Sequence, residues 1–497
     1  MKIRSPRDLS HRARLSFLLN DSLIYGGASV LSKSFSIITF PLIARHFSTD
    51  DYGVIDLFGV MGTFIGVLII FGQDSAVARF FYEFDEKFKR SQLISQSLIL
   101  QLAITIVVVA VLVSWASPVA DALTKIPEAS VFFKLIVIQA PFLILMNFSQ
   151  NLLKWTFERG RFLFISLGST LFSAALLISG IYLFDIGIAG ILWIGIINYA
   201  FFGLLGIWFI RKWLIIPNSF CYLKEMLRYS FPVGITCSLG AFAPTAERWL
   251  TVNLLSMNDL GLFAVGARAA MLVAIFVGAF QTAWGPFSLS LYKQEDAIET
   301  YNLVLKGFIL VMMPLALFLG AISLPLITLL ATERYAMSAI VVFPLALALV
   351  IQGLGWITEI GIGISKRSYL SLYAYAAYLV VTLSAIYLLA PLWGLIGVAI
   401  GVLFGQLAKA TIASWLAHRA HPLDWSFKPV LIFIVVILAL SACVLPIYDV
   451  YSAGIGSILY LGLAVGSLIF GIRLLFSAAE RSQVAALLLR KIKLIKK

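Results

Sequence analysis

The chain has 497 residues, of which 61% are hydrophobic and 12% are charged, whereas a soluble globular chain carries about 25% charged residues. This composition excludes a soluble domain and predicts an all-α polytopic membrane protein, because the apolar residues form solid runs rather than alternating with polar ones. The net charge of +13 is explained by basic cytoplasmic loops, so no nucleic-acid partner is expected.

The apolar runs predict about fourteen membrane-spanning helices, since each run approaches the roughly 20 residues that cross a bilayer. In chain order they lie near 22–46, 52–72, 91–116, 129–151, 162–184, 186–210, 229–254, 260–284, 302–331, 338–363, 368–390, 393–417, 428–447 and 453–476. The connections between them are short, and none could hold a soluble domain.

Lysines and arginines alternate between the two sets of loops that this topology defines. One set is basic and includes Arg79, Lys87, Lys154, Arg211, Lys293, Lys366, Arg419 and Lys428. The opposite set holds little more than Arg45, Lys125 and Arg334. Because cytoplasmic loops collect basic residues, both termini are predicted to be cytoplasmic. The basic tail 477–497 is predicted to be an interfacial helix held by anionic membrane lipid, with partner binding as the alternative.

Two short segments indicate an internal repeat. "FSTDDYG" at 47–53 aligns without gaps with "LSMNDLG" at 255–261, and each lies between two apolar runs. The repeat predicts two parallel six-helix lobes. The predicted divisions are 1–212 (spans 1–6), 213–420 (spans 7–12), 421–476 (two C-terminal helices) and the tail 477–497.

The acidic turn in each copy has a structural explanation. Ser48 or Thr49 can cap the following helix, and Asp50 and Asp51 would lie in its first turn, where the helix dipole favours negative charge. Gly53 permits close helix approach. We therefore interpret the turn as a capped hairpin tip, because a metal site would need more ligands than it supplies.

Five ionisable residues lie within the spans that the repeat pairs: Lys33, Asp56, Glu247, Arg248 and Arg268. Such residues are costly in a membrane and indicate functional sites. They predict a cationic cavity between the lobes, with an anionic ligand, and the arginine fork suits phosphate. The alternative is mutual pairing, of Glu247 with an arginine and of Asp56 with Lys33.

Motifs of catalysis do not occur in the sequence. There is no Walker A phosphate loop, no HExxH motif and no Cys/His cluster, so neither a catalytic residue nor a metal site is predicted. The chain is expected to be a transporter rather than an enzyme.

Three segments carry a resemblance to a known family: "SKSFSIITFPLIARHFSTDDYG" at 32–53, "GQDSAVARFFYE" at 72–83 and "AERWLTVNLLSMNDLGLFAVGARAAML" at 246–272. They resemble the polysaccharide transporter family, the O-antigen and lipid-linked oligosaccharide flippases of the multidrug/oligosaccharidyl-lipid/polysaccharide exporter superfamily. The resemblance implies alternating access and a cargo of undecaprenyl-diphosphate-linked oligosaccharide. The cargo would move from the cytoplasmic to the periplasmic leaflet of a bacterial inner membrane.

The resemblance also implies roles for individual residues. Lys33, Arg248 and Arg268 would meet the diphosphate, and Asp56 or Glu247 would be the coupling carboxylate for a proton or sodium gradient, with no organic cofactor. A polysaccharide polymerase and a chain-length regulator are the implied protein partners. The alternatives are a cation-coupled multidrug or small-solute antiporter of the same superfamily and a membrane glycan polymerase; short outer loops disfavour the polymerase.

Overall fold

The computed structural model describes residues 27, 39–124, 126, 128–451, 453–478 and 480–481. All regular secondary structure in these residues is helical. The first helices are α1 (Thr49–Ile70), α2 (Gln73–Phe81), α3 (Lys87–Ser114), α4 (Ala116–Leu123), α5 (Ala129–Trp155), α6 (Arg159–Phe184), α7 (Ile188–Ile210) and α8 (Leu223–Leu254). They are followed by α9 (Met257–Leu291), α10 (Ala297–Ala321), α11 (Ser323–Ala331), α12 (Ala339–Thr358), α13 (Ile360–Ile364), α14 (Leu370–Trp393), α15 (Leu395–Ala420), α16 (Phe427–Tyr451) and α17 (Ala453–Leu475).

The predicted fold class, an all-α polytopic membrane protein, is confirmed. In the part of the chain that the structure describes, eleven helices are long and apolar enough to cross a membrane. The predicted number of fourteen is not confirmed. Most of the first predicted span, 22–46, and most of the tail 477–497 lie outside the described residues. Helix α8 is not among the eleven, and it carries Lys224, Glu225, Arg228, Glu247 and Arg248.

Short helices occur where the sequence predicted a loop or a continuous span. Helix α2 fills the predicted loop after α1, because Phe71 and Gly72 adopt left-handed conformations (φ 43° and 71°) that end α1 and redirect the chain. Helix α4 follows α3 with only Trp115 between them. The predicted span 302–331 is divided into α10 and α11 at Ile322.

The chain divides into two compact units, 1–264 with 371–398, and 265–370 with 399–497. The lobes predicted from the repeat, 1–212 and 213–420, stay a prediction. In the second unit α10 packs against α12 and α17, and α16 packs against α17.

The first unit is built around α1 and α5. Helix α1 packs against α5 and α8, and α5 packs along α7. One apolar cluster joins α1, α4 and α5 and includes the buried rings of Phe58, Phe132 and Phe133. A second joins α2, α3, α5 and α6.

The two repeated turns are capped as predicted. Ser48 caps α1, and the Asp51 amide donates to the Ser48 hydroxyl oxygen over 3.1 Å. The Asp259 amide donates to the Ser256 hydroxyl oxygen over 3.0 Å in the second copy. In both copies the serine hydroxyl also donates to the carboxylate of the same aspartate. The structural interpretation of the turn is thus confirmed.

The two turns also lie against each other within the first unit. A Cβ atom at Gly53 would lie 2.5 Å from the Met257 carbonyl oxygen, and one at Gly261 would overlap the Thr49 carbonyl oxygen. The Asn258 side-chain amide donates to the Thr49 hydroxyl over 2.6 Å. Both glycines therefore permit the close backbone approach that the sequence predicted for Gly53.

Candidate functional site

Three helices of the first unit bring ionisable side chains together. Asp56 lies in the second turn of α1, Glu247 and Arg248 lie in the second half of α8, and Tyr378 lies in α14. Proline at 232 and 244 does not interrupt α8. We call these four residues the ion cluster.

Arg248 is the centre of the ion cluster. Its Nε donates to Asp56 Oδ2 over 3.1 Å, and its Nη1 donates to Glu247 Oε2 over 3.1 Å. The Tyr378 hydroxyl donates to the other carboxylate oxygen, Glu247 Oε1, over 2.8 Å. The guanidinium carbon lies 5.2 Å from the centre of the Phe263 ring, a cation–π distance. Each charged group thus has a directed partner.

The ion cluster is withdrawn from solvent. The side chains of Arg248, Asp56 and Glu247 are 10%, 7% and 4% exposed. Among the described residues one guanidinium faces two carboxylates, so full ionisation of these three groups leaves one negative charge in surplus. A buried surplus charge is costly. Uptake of one proton or one monovalent cation would make these three groups neutral.

The structure therefore joins three of the five predicted site residues. Glu247 pairs with Arg248, as the pairing alternative expected. Asp56 also pairs with Arg248, while its expected partner, Lys33, lies outside the described residues. Arg268 belongs to the second unit, where its side chain is exposed. Among the described residues it makes no ion pair.

Tyr378 is the member of the ion cluster that sequence reasoning missed. It lies in the apolar run "YAYAAYLVV" at 373–381 with two other tyrosines nearby, and tyrosine is common in membrane helices. Only the packing of α14 on α8 shows which of these hydroxyls reaches Glu247.

The family-like segment at 72–83 has a structural role. Gln73 is 1% exposed, and its side-chain amide donates to the Ser230 hydroxyl of α8 over 3.0 Å. A Cβ atom at Gly72 would lie 2.9 Å from the Gly234 nitrogen. Gln73 and Gly72 thus fasten the start of α2 to α8. No group of three or more His, Cys, Asp or Glu side chains forms a metal site within the described residues.

Comparison with known proteins identifies relatives of the chain. A family model described as "Polysaccharide biosynthesis protein" matches residues 42–340, more than half of the chain. An "Uncharacterized membrane protein" of Haemophilus influenzae (strain ATCC 51907 / DSM 11121 / KW20 / Rd) is 25% identical over 287 residues. That match covers 56% of this chain and 66% of the relative, slightly less than two thirds of the relative's length.

Solved structures of membrane transporters share the fold. The lipid II flippase MurJ in an inward closed conformation matches with a TM-score of 0.69 at 14% identity, covering 90% of this chain and 98% of that chain. An inward-facing multidrug resistance MATE family transporter of the MOP superfamily matches with a TM-score of 0.60 at 16% identity, covering 81% and 95%. A MOP superfamily transporter from Pyrococcus furiosus Vc1 (DSM3638) matches with a TM-score of 0.59 at 16% identity, covering 81% and 96%.

Proposed function

Because the chain belongs to the polysaccharide biosynthesis protein family and has the fold of the MurJ flippase and MATE transporters, as the sequence resemblance predicted, we propose that it is a flippase for lipid-linked oligosaccharides. The proposed cargo is an undecaprenyl-diphosphate-linked repeat unit of O-antigen or another surface polysaccharide. The protein would turn it from the cytoplasmic to the periplasmic leaflet of a bacterial inner membrane by alternating access, with both termini cytoplasmic.

The extent of the likeness to a flippase carries this proposal. The lipid II flippase covers 90% of this chain, whereas the multidrug transporter covers 81%. The larger shared length supports a lipid-linked cargo over a soluble drug. A polysaccharide polymerase and a chain-length regulator are the protein partners that such a cargo implies.

The ion cluster supports a coupling role for Asp56 and Glu247. When one carboxylate takes up a proton or a sodium ion, Arg248 loses one of its two charged partners. Its guanidinium can then donate a hydrogen bond to a phosphate oxygen of the diphosphate. Cation uptake and diphosphate binding would favour each other, and this coupling is reciprocal by linkage. In this mechanism Arg248 both couples and binds. The roles predicted for Arg268 and Lys33 at the diphosphate stay predictions from the sequence.

A deletion strain tests the proposed function. Loss of the gene is expected to abolish the surface glycan and to accumulate its lipid-linked precursor, and a plasmid copy should restore both. Glycan is measured by gel electrophoresis and precursor by mass spectrometry of lipid extracts. A deletion strain that displays normal glycan and accumulates no precursor contradicts the proposal. Drug sensitivity together with normal glycan would instead favour the multidrug antiporter.

A further inference from the structure

A cavity of about 290 Å³ lies within the first unit, between α1, α5 and α7. Three glycines of α1, at positions 59, 62 and 66, form its wall on that side. A Cβ atom at Gly59 would meet no atom within 4 Å. The missing side chain of Gly59 therefore leaves the space open. Gly62 and Gly66 instead permit the close approach of α5, because Cβ atoms there would lie 3.0 Å from Ile136 and 3.1 Å from Leu143. We call this space the neutral cavity.

Polar side chains from three helices line the neutral cavity. Thr63 of α1 is one of them, and its hydroxyl donates to the Gly59 carbonyl oxygen over 3.1 Å. Gln139 and Asn147 lie on one face of α5, two turns apart, and Tyr199 faces them from α7. Among the described residues none of these three side chains has a hydrogen-bond partner. Polar groups in membrane helices ordinarily find partners, because leaving them unpaired in an apolar environment costs free energy. These three side chains are half-buried, so their free hydrogen-bonding groups are available to a ligand in this space.

The chemistry of the lining restricts that ligand. Among the described residues, no Asp, Glu, Lys, Arg or His side chain lines the neutral cavity, which favours a ligand group without net charge. Carboxamides both donate and accept, as hydroxyl groups require. The rings of Phe58 and Tyr199 in the same lining offer flat apolar surfaces. Hydroxyl partners beside a flat apolar face are what a neutral sugar ring presents.

Size and depth agree with one sugar ring rather than a whole oligosaccharide. The volume lies at the low end of the range of about 300–1,000 Å³ for small-molecule sites. Gly59 is ten residues into α1, roughly 15 Å along the helix, and the lining continues to Ile70. This is the half of α1 that the predicted topology places toward the cytoplasm, the side on which a cargo would load.

We propose that the neutral cavity is a subsite for one neutral sugar ring of the lipid-linked cargo, held by Gln139, Asn147 and Tyr199. This subsite rests on the proposed function and deepens it. It assigns recognition of the sugar to a place within the first unit that is distinct from the ion cluster. The diphosphate and the sugar would be bound by separate groups beside α1.

Binding by the purified full-length protein in nanodiscs tests the subsite. The first probe is the lipid-linked oligosaccharide extracted from a polymerase-deficient host, and the second is undecaprenyl diphosphate, which has no sugar. Gly59→Leu fills the cavity without a backbone clash and raises helix propensity. Gly462→Leu is the matched control, because Gly462 is an exposed glycine of α17 whose Cβ would also meet no atom within 4 Å.

We expect Gly59→Leu to raise the Kd for the glycosylated lipid at least about tenfold, because the leucine side chain would occupy the space of the sugar ring. Binding of undecaprenyl diphosphate should be unchanged, and Gly462→Leu should change neither. Equal binding of the glycosylated lipid by Gly59→Leu and wild type overturns the subsite, and so does equal weakening for both probes. Wild-type protein that binds neither probe overturns the proposed function itself, which distinguishes that failure from failure of the subsite.

Discussion

The ion cluster and the neutral cavity both lie beside α1, but their polar groups differ in whether they have partners. Toward α8, Asp56 belongs to an ion cluster in which each charged group has a partner at hydrogen-bond distance. Toward α5 and α7, the neutral cavity exposes Gln139 and Asn147 without partners among the described residues. The difference follows from cost. A buried unpaired charge is prohibitive, whereas an unpaired neutral amide costs about 1–3 kcal/mol, which a membrane protein can sustain where a ligand compensates it.

We expect the ion cluster to contribute more to the stability of the protein than the neutral cavity does. Arg248→Ala leaves two buried carboxylates with no cation between them, and removing one partner of a buried ion pair costs about 3–5 kcal/mol. We expect a markedly lower melting temperature in detergent and low expression. This is the largest effect that we predict.

Two further variants separate charge from volume. Arg268→Ala removes an exposed arginine and should change the free energy of unfolding by less than about 0.5 kcal/mol.

The triple variant Asp56→Asn, Glu247→Gln, Arg248→Met removes every charge of the cluster at similar volume. It should regain most of the stability, because neutral replacements of buried ion sets are often tolerated, and yet fail to transport. An Arg248→Ala protein as stable as wild type would show that the cluster is not structural.

The sequence predicted those features that depend on local chemistry or on composition. Ser48 and Asp51 specify a capped turn through contacts within a few residues, and the same pair at Ser256 and Asp259 made the repeated hairpin visible. Glu247 and Arg248 stood out because charge in an apolar run is rare. Tyr378, Gln139 and Tyr199 did not, since a neutral polar side chain in a span is common. The role of such a side chain depends on which helix packs against it, and no local sequence pattern encodes that packing.

A smaller effect is expected when the charges stay and one neutral partner is lost. Tyr378→Phe removes the hydroxyl that donates to Glu247, and a hydrogen bond to a charged group contributes about 1.5–3 kcal/mol. The melting temperature should fall by less than in Arg248→Ala. Tyr387→Phe is the matched control, because Tyr387 lies on the same helix with 62% of its surface exposed. Equal melting temperatures for the two variants would remove Tyr378 from the cluster.

In the neutral cavity, loss of a polar side chain should lower activity without lowering stability. Gln139→Leu removes a carboxamide that has no partner among the described residues, so its melting temperature should equal or slightly exceed that of wild type, while surface glycan falls in the complemented deletion strain. Gln73→Leu is the same substitution at a glutamine that donates to Ser230 over 3.0 Å and is 1% exposed. It should lose about 1–3 kcal/mol, because Ser230 and Ser97 would each lose a hydrogen bond with Gln73. If Gln139→Leu destabilised the protein as much as Gln73→Leu, the carboxamide would be structural. A stable but inactive Gln139→Leu protein would mean that the Gln139 carboxamide serves to bind the cargo.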